Sequence, residues 1–382
     1  MLYHYFSLDD YFKKTRNYFT FIDGVFKQTA SKKKEVLDKL NIPDSTYRTN
    51  RAKDRAKYNW SYLPILEYFG YKNVNPNDQR KYELLLAKIY HNAYFKDVES
   101  LNYLSTELDK IIDENNFLKP VFVLFRVLIK YITISKYSEQ LNAVTEDIEY
   151  IYYFRKDFLT EELSFMYQMF RYYFGKSVSN LELENYAAKN PKLLWLYYLL
   201  RGSFNYLHDK DNEALSYYEL LLDIFIKDFN IERFSITSSN VSFIYNNVNK
   251  FSLSIERSSK LIYYAIASEN ARAHSKYAIK HYLFSSYMID KFDEIIELFE
   301  IIKDISFLGD IYIVIFMLIN KIKHSIYDRQ IKERIKQNQN LQEIDEMLIS
   351  RRLNIEKLKE MYKKLPYWPK IVEKMQVDVL KI

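Results

Sequence analysis

From Gln79 onward no stretch alternates apolar and polar residues as a half-buried strand must. Apolar positions recur instead at helical spacing, interrupted by short polar breaks. The residues beside these breaks, Val98, Tyr137, Val178, Asp211, Phe251 and Phe292, fall 39, 41, 33, 40 and 41 positions apart. A helical hairpin of that length cannot bury its apolar face alone, so the recurrence predicts hairpins stacked into an all-α solenoid. The most apolar stretches, Leu118 to Ile134 and Ile311 to Ile319, read as buried helices within it. The first is interrupted by Arg126 and Lys130 and the second is too short to span a bilayer, so no membrane partner is expected.

The N-terminal part differs in charge. Between Lys27 and Lys57 lie ten basic and four acidic residues, a net of +6 that equals the formal charge of the whole 382-residue chain. So local an excess faces either solvent or a polyanion. Ser7 and Asp10 form a capping pair for a first helix, whose apolar face runs through Leu8, Tyr11, Phe12, Tyr18, Phe19, Ile22, Val25 and Phe26 to about Lys27. Ser31 is expected to cap a short second helix with Val36, Leu37 and Leu40 on its apolar side. Lys32, Lys33 and Lys34 crowd its first turn, against the helix dipole, which points to an anionic neighbour such as phosphate. Asn41 then suits a left-handed turn, and Pro43 with Asp44 or Ser45 opens a third helix.

The run LDKLNIPDSTYRTNR resembles the helix-turn-helix of bacterial regulators. It has Asn41 for the usual turn glycine, Leu37 for a small residue and Asn50 for an apolar one. The resemblance implies a third helix in the major groove of double-stranded DNA. Ser45, Thr46, Arg48 and Thr49 would then face base edges, and Lys32, Lys33, Lys34, Arg51, Lys53 and Arg55 would hold phosphates. Pro64 begins a further helix ending at Gly70, and Tyr71 to Asp78 is rich in turn formers. The expected domains are therefore 1–72 (helix-turn-helix), 73–324 (helical repeats) and 325–382 (capping or dimerisation helices).

Two repeat units resemble tetratricopeptide repeats. In one, Gly202 precedes Ala214 and Tyr218; in the other, Tyr245 precedes Phe251, with small Ser254 and Ser258 at the helix crossing. The next unit keeps the rhythm but carries Ile295 and Phe299 at these places. In the tail, Ile331, Ile335, Leu341, Ile344 and Leu348 form a thin apolar seam in a charged segment.

A DNA-binding head before a tetratricopeptide-like body is similar to the peptide-pheromone receptors of Gram-positive bacteria, the RNPP group. That resemblance implies a cytoplasmic quorum-sensing regulator, a homodimer, whose repeats bind a short signalling peptide and thereby control the head. By the repeat alignment Tyr206, Phe243, Asn246, Asn247, Lys280, Phe284 and Tyr287 would line the peptide face. Asn246 and Asn247 would clamp peptide backbone and Lys280 an acidic group. The alternative is a repeat adaptor that binds proteins and not DNA, as in Rap-like relatives whose N-terminal bundle binds a response regulator. Catalysis, cofactors and metals are not expected. Cysteine is absent, the six His lack HExxH spacing, and five Gly form no phosphate-cradling loop.

Overall fold

The computed structural model describes residues 4–9, 11, 15–52, 62–72, 76–154, 158–176, 178–267, 272–302, 306–325, 329–362 and 368–382. Among them are twenty-one α-helices and no strand beyond one isolated bridge between Lys72 and Asn116, so the fold is all-α. No described helix is long and apolar enough to cross a membrane. The chain divides into two compact units, Met1–Lys210 and Asp211–Ile382.

The first unit contains α1 (Thr15–Gln28), α2 (Lys33–Lys39), α3 (Asp44–Ala52), α4 (Leu63–Tyr68), α5 (Gln79–Phe95), α6 (Val98–Asp113), α7 (Lys119–Thr133), α8 (Tyr137–Tyr152), α9 (Glu161–Tyr173), α10 (Asn180–Lys189) and α11 (Leu194–Leu207). The second contains α12 (Asp211–Lys227), α13 (Ile231–Asn247), α14 (Phe251–Ala267), α15 (Arg272–Met288), α16 (Phe292–Ile301), α17 (Asp310–Ile322), α18 (Arg329–Gln337), α19 (Gln339–Ile349), α20 (Ile355–Tyr362) and α21 (Trp368–Asp378).

Five of the six expected break residues are the first residues of helices: Val98, Tyr137, Asp211, Phe251 and Phe292. The sixth, Val178, falls just before Ser179, whose hydroxyl caps α10 by accepting from the Glu182 amide. One turn recurs between helices. A residue in the left-handed region closes the first helix, and the amide after it reaches back to the carbonyl five positions earlier. In the second unit Asn249 (φ 61°) and Asp290 (φ 60°) take the left-handed position. The Lys250 amide then donates to the Tyr245 carbonyl at 2.8 Å and the Lys291 amide to Ser286 at 2.9 Å. Asn and Asp suit this conformation because a short polar side chain tolerates it best after glycine.

Within the second unit, α13 packs on α14 and also on α15, the first helix of the next hairpin, as stacked hairpins require. The crossing is close because serines line it. Ser242, Ser254, Ser258 and Ser285 are fully buried. The Ser254 hydroxyl donates to the Ser242 carbonyl (3.1 Å), and that of Ser285 is 2.7 Å from Asn246 Oδ1 and 2.9 Å from Ser254 Oγ. In the following unit Ile295 is buried and Phe299 packs on Phe316, with ring centroids 3.8 Å apart. The tail seam breaks at Asn338, whose side chain caps α19. Ile331, Leu341, Ile344 and Leu348 are buried and Ile335 half-buried.

In the first unit the N-terminal helices lie against those that follow. The Leu8 amide donates to Glu83 at 2.7 Å, and the Lys72 amide donates to the Asn115 carbonyl at 3.0 Å. Residues 1–72 and the helices after them thus share one compact unit, whose limit is Lys210. Phe21 of α1 stacks on Phe154 at 5.0 Å. Three residues later, about one turn on, Gly24 meets the same ring, since a Cβ there would lie 2.5 Å from Phe154 Cδ1. In an open helix Ala would be favoured over Gly by about 1 kcal/mol. Here Gly24→Ala should destabilise the chain by about 1–3 kcal/mol, because the buried ring has to shift. Urea unfolding checks this, and a more stable variant would refute the close approach.

Candidate nucleic-acid interface and repeat face

The α2-turn-α3 hairpin has the geometry expected of its turn residues. Asn41 is left-handed (φ 56°), its amide donates to Asp38, and the Ile42 amide donates to the Leu37 carbonyl at 2.9 Å. Ile42 and Leu37 are both buried, supplying the apolar contact that accompanies this cap. Ser31 is not the N-cap of α2. That position is held by Lys32 without a side-chain cap, and the Ser31 hydroxyl instead accepts from Thr29.

On α3, Tyr47 and Asn50 face inward. The Tyr47 ring meets Phe19 of α1 edge-on at 5.0 Å, and its hydroxyl donates to Asp23 Oδ1 at 2.9 Å. Burial, then the Asp23 carboxylate, holds the phenol well above its ordinary range. Ser45, Arg48, Thr49 and Ala52 are exposed at i, i+3, i+4 and i+7, one outward stripe, with Thr46 half-buried beside it. The hairpin therefore presents three of the four expected base readers on a common face.

The positive charge is less free than the sequence implies. Lys32 pairs with Glu35 at 3.1 Å, Arg48 with Asp44 at 2.7 Å and Arg51 with Asp23 at 2.8 Å. Lys33, expected on phosphate, lies over the Tyr47 ring at 3.6 Å, and burial lowers its pKa. Lys34 is exposed. Lys53 and Arg55 lie outside the described residues. The exposed pairs are weak and can yield to phosphate, whereas Lys33 and Arg51 also brace the hairpin. Asp23 was not evident as a functional residue. It joins α1 to both Tyr47 and Arg51, 24 and 28 positions away, and no local pattern encodes a pairing of that range.

Asn50 is buried, and its Nδ2 has no hydrogen-bond partner among the described residues. The position is packed as a core position but holds a polar side chain. Asn50→Leu should raise stability by about 1–2 kcal/mol, since it removes an unpaired buried amide. A lower urea midpoint for this variant would contradict that account.

The repeat face differs from expectation. Tyr206 belongs to the first unit and is half-buried, and the other six residues belong to the second. Phe243, Asn247 and Lys280 are half-buried. Asn246, Phe284 and Tyr287 are wholly buried and so are not part of an open face. Asn246 accepts from Ser285 inside the helix crossing, Phe284 packs on Phe251 and Tyr287 stacks on Phe292. Asn246 thus faces the next hairpin, Phe284 the preceding one and Tyr287 the second helix of its own, and none of the three lines an open face. The carbonyls of Asn246 and Asn247 accept from Lys370 Nζ at 3.2 and 2.9 Å, so both intended clamps already have a partner in α21. Lys280 sits near the Tyr277 ring, and burial followed by Lys276 lowers its pKa.

Next to Lys280, burial pulls buried His281 down to about 4. Unfolded His titrates near about 6.5, so between the two values the unfolded chain binds a proton that the folded chain refuses. Stability is therefore complete above the unfolded value and falls as pH drops toward the folded one. About 2 kcal/mol should be lost between about pH 6.5 and 5, and His281→Gln should remove that part of the slope. Urea midpoints across this range check it; equal slopes in the two proteins would refute it.

The first unit also carries an open polar cleft of about 840 Å³ between α9 and α10, lined in part by Glu161, Gln168, Asn185 and Lys189. No sequence motif marks it. No family model, curated protein or solved structure matches the chain.

Proposed function

We propose that this protein is a DNA-binding regulator whose α2-turn-α3 hairpin reads the major groove and whose repeats respond to a short peptide. The observation that carries the reading is the left-handed Asn41 turn followed by an outward stripe of Ser45, Arg48 and Thr49. Such a stripe offers Arg48 for a guanine edge and hydroxyls for other base edges, with exposed Lys32 and Lys34 at the start of α2 for phosphate. A homodimer would place two such hairpins on half-sites one helical turn of DNA apart. The peptide shifts the population of body arrangements and so the fit of the heads.

A protein-binding adaptor is the second reading. The carboxylates of Glu35, Asp44 and Asp23 favour it, since they already engage half of the described basic residues of the hairpin. Selection of random duplexes by the full-length chain, followed by salt titration, separates the two. A regulator should enrich a site and lose affinity steeply with salt. Arg48→Ala should relax choice at one base pair by about 1–3 kcal/mol, while Lys34→Ala should weaken all duplexes alike and lower the salt slope by about one. An absence of both enrichment and salt dependence would leave the adaptor.

A further inference from the structure

The second unit repeats one turn, and the repetition has a chemical consequence on its surface. Of the five left-handed residues described in the second unit, Phe229, Asn249, Asp290, His324 and Arg351, two are short oxygen acceptors, Asn249 and Asp290, and they close the first helices of successive hairpins. Beside each acceptor stands the C-terminal end of a first helix, where carbonyls lack intrahelical donors and the helix dipole is negative. A row of such turns is a surface for cations.

In the folded chain α21 occupies that row. Lys370 Nζ donates to the Asn246 and Asn247 carbonyls at the end of α13 and to Asn249 Oδ1 at 2.8 Å. Lys374, one helical turn on, donates to Asp290 Oδ1 at 2.7 Å and lies near the Tyr287 and Phe292 rings. Beside the lysines, Ile371, Val372 and Met375 are buried. Lys374 and Lys381 also pair with Asp378, whose carboxylate is fully buried. The segment thus binds as an amphipathic helix with lysines at i and i+4 and apolar residues at i+1, i+2 and i+5.

We infer that the row of left-handed turns in the second unit is a binding site for a lysine-bearing amphipathic peptide, and that α21 is an internal ligand that such a peptide displaces. The inference deepens the peptide-sensing part of the proposed function. It is tested without DNA, so a head that binds no DNA leaves it standing. Displacement would free the carbonyls of Asn246 and Asn247, the residues that the repeat alignment singles out.

The probe is a fluorescent synthetic peptide copying residues 366–382, titrated into the full-length chain and followed by anisotropy. Because a tethered segment competes at high effective concentration, the natural chain should bind it weakly and a K370A/K374A chain at least about tenfold more tightly. The same peptide with Ala at both lysines should bind neither. Equal affinity for the two proteins, or no binding to the variant, overturns the inference. So does formation of a dimer by exchange of α21, which would assign the row to a second copy. Asp290→Asn provides a readout in an otherwise natural chain, because Asn also tolerates the left-handed turn. Hydrogen exchange across residues 369–378 should accelerate at least about tenfold in that variant, and unchanged protection would equally refute the inference.

Discussion

The left-handed residue that closes a helix governs this molecule at several scales. It ends α2 at Asn41, α13 at Asn249 and α15 at Asp290, and each time the following amide is tied to a carbonyl inside the helix just finished. A helix that ends without such a cap leaves carbonyls unpaired at a cost of the order of a hydrogen bond each. The turn removes that cost and fixes the direction of the next helix. The α2-turn-α3 hairpin and the hairpin stacking of the second unit therefore rest on one backbone solution.

That solution was legible in the sequence because it is local. Turn residues and helical period placed the starts of five repeat helices, and Asn41 followed by Ile42 marked its cap. What could not be read is long-range. Asp23 meets Tyr47 and Arg51 only after α1 and α3 have folded together. Ser31 was expected to cap α2, but its hydroxyl is engaged by Thr29. Asn246, Phe284 and Tyr287, expected on an open face, belong to the core. On a helix a single position is about 100° of rotation. A repeat alignment that is right to within a residue can thus still be wrong about which side is open.

The charge of the head illustrates the same limit. Counting from Lys27 to Lys57 yields a surplus, but one of the carboxylates that answers it, Asp23, lies upstream of that window. Another basic residue, Lys33, covers an aromatic ring. Electrostatic reading of a segment needs the neighbours that folding brings, and these moderate the polyanion argument without removing it. The exposed stripe of α3 remains, and its ion pairs are of the weak, solvent-screened kind.

Asp23 and Gly24 are consecutive on α1 and face different masters. Asp23 grips α3 through Tyr47 and Arg51, while Gly24 leaves no space between α1 and the ring of Phe154 beyond the end of α8. A packed contact of this kind transmits displacement instead of absorbing it. α1 is in this sense a rocker arm: a shift of Phe154 on one side of the helix would become a tilt of α3 on the other.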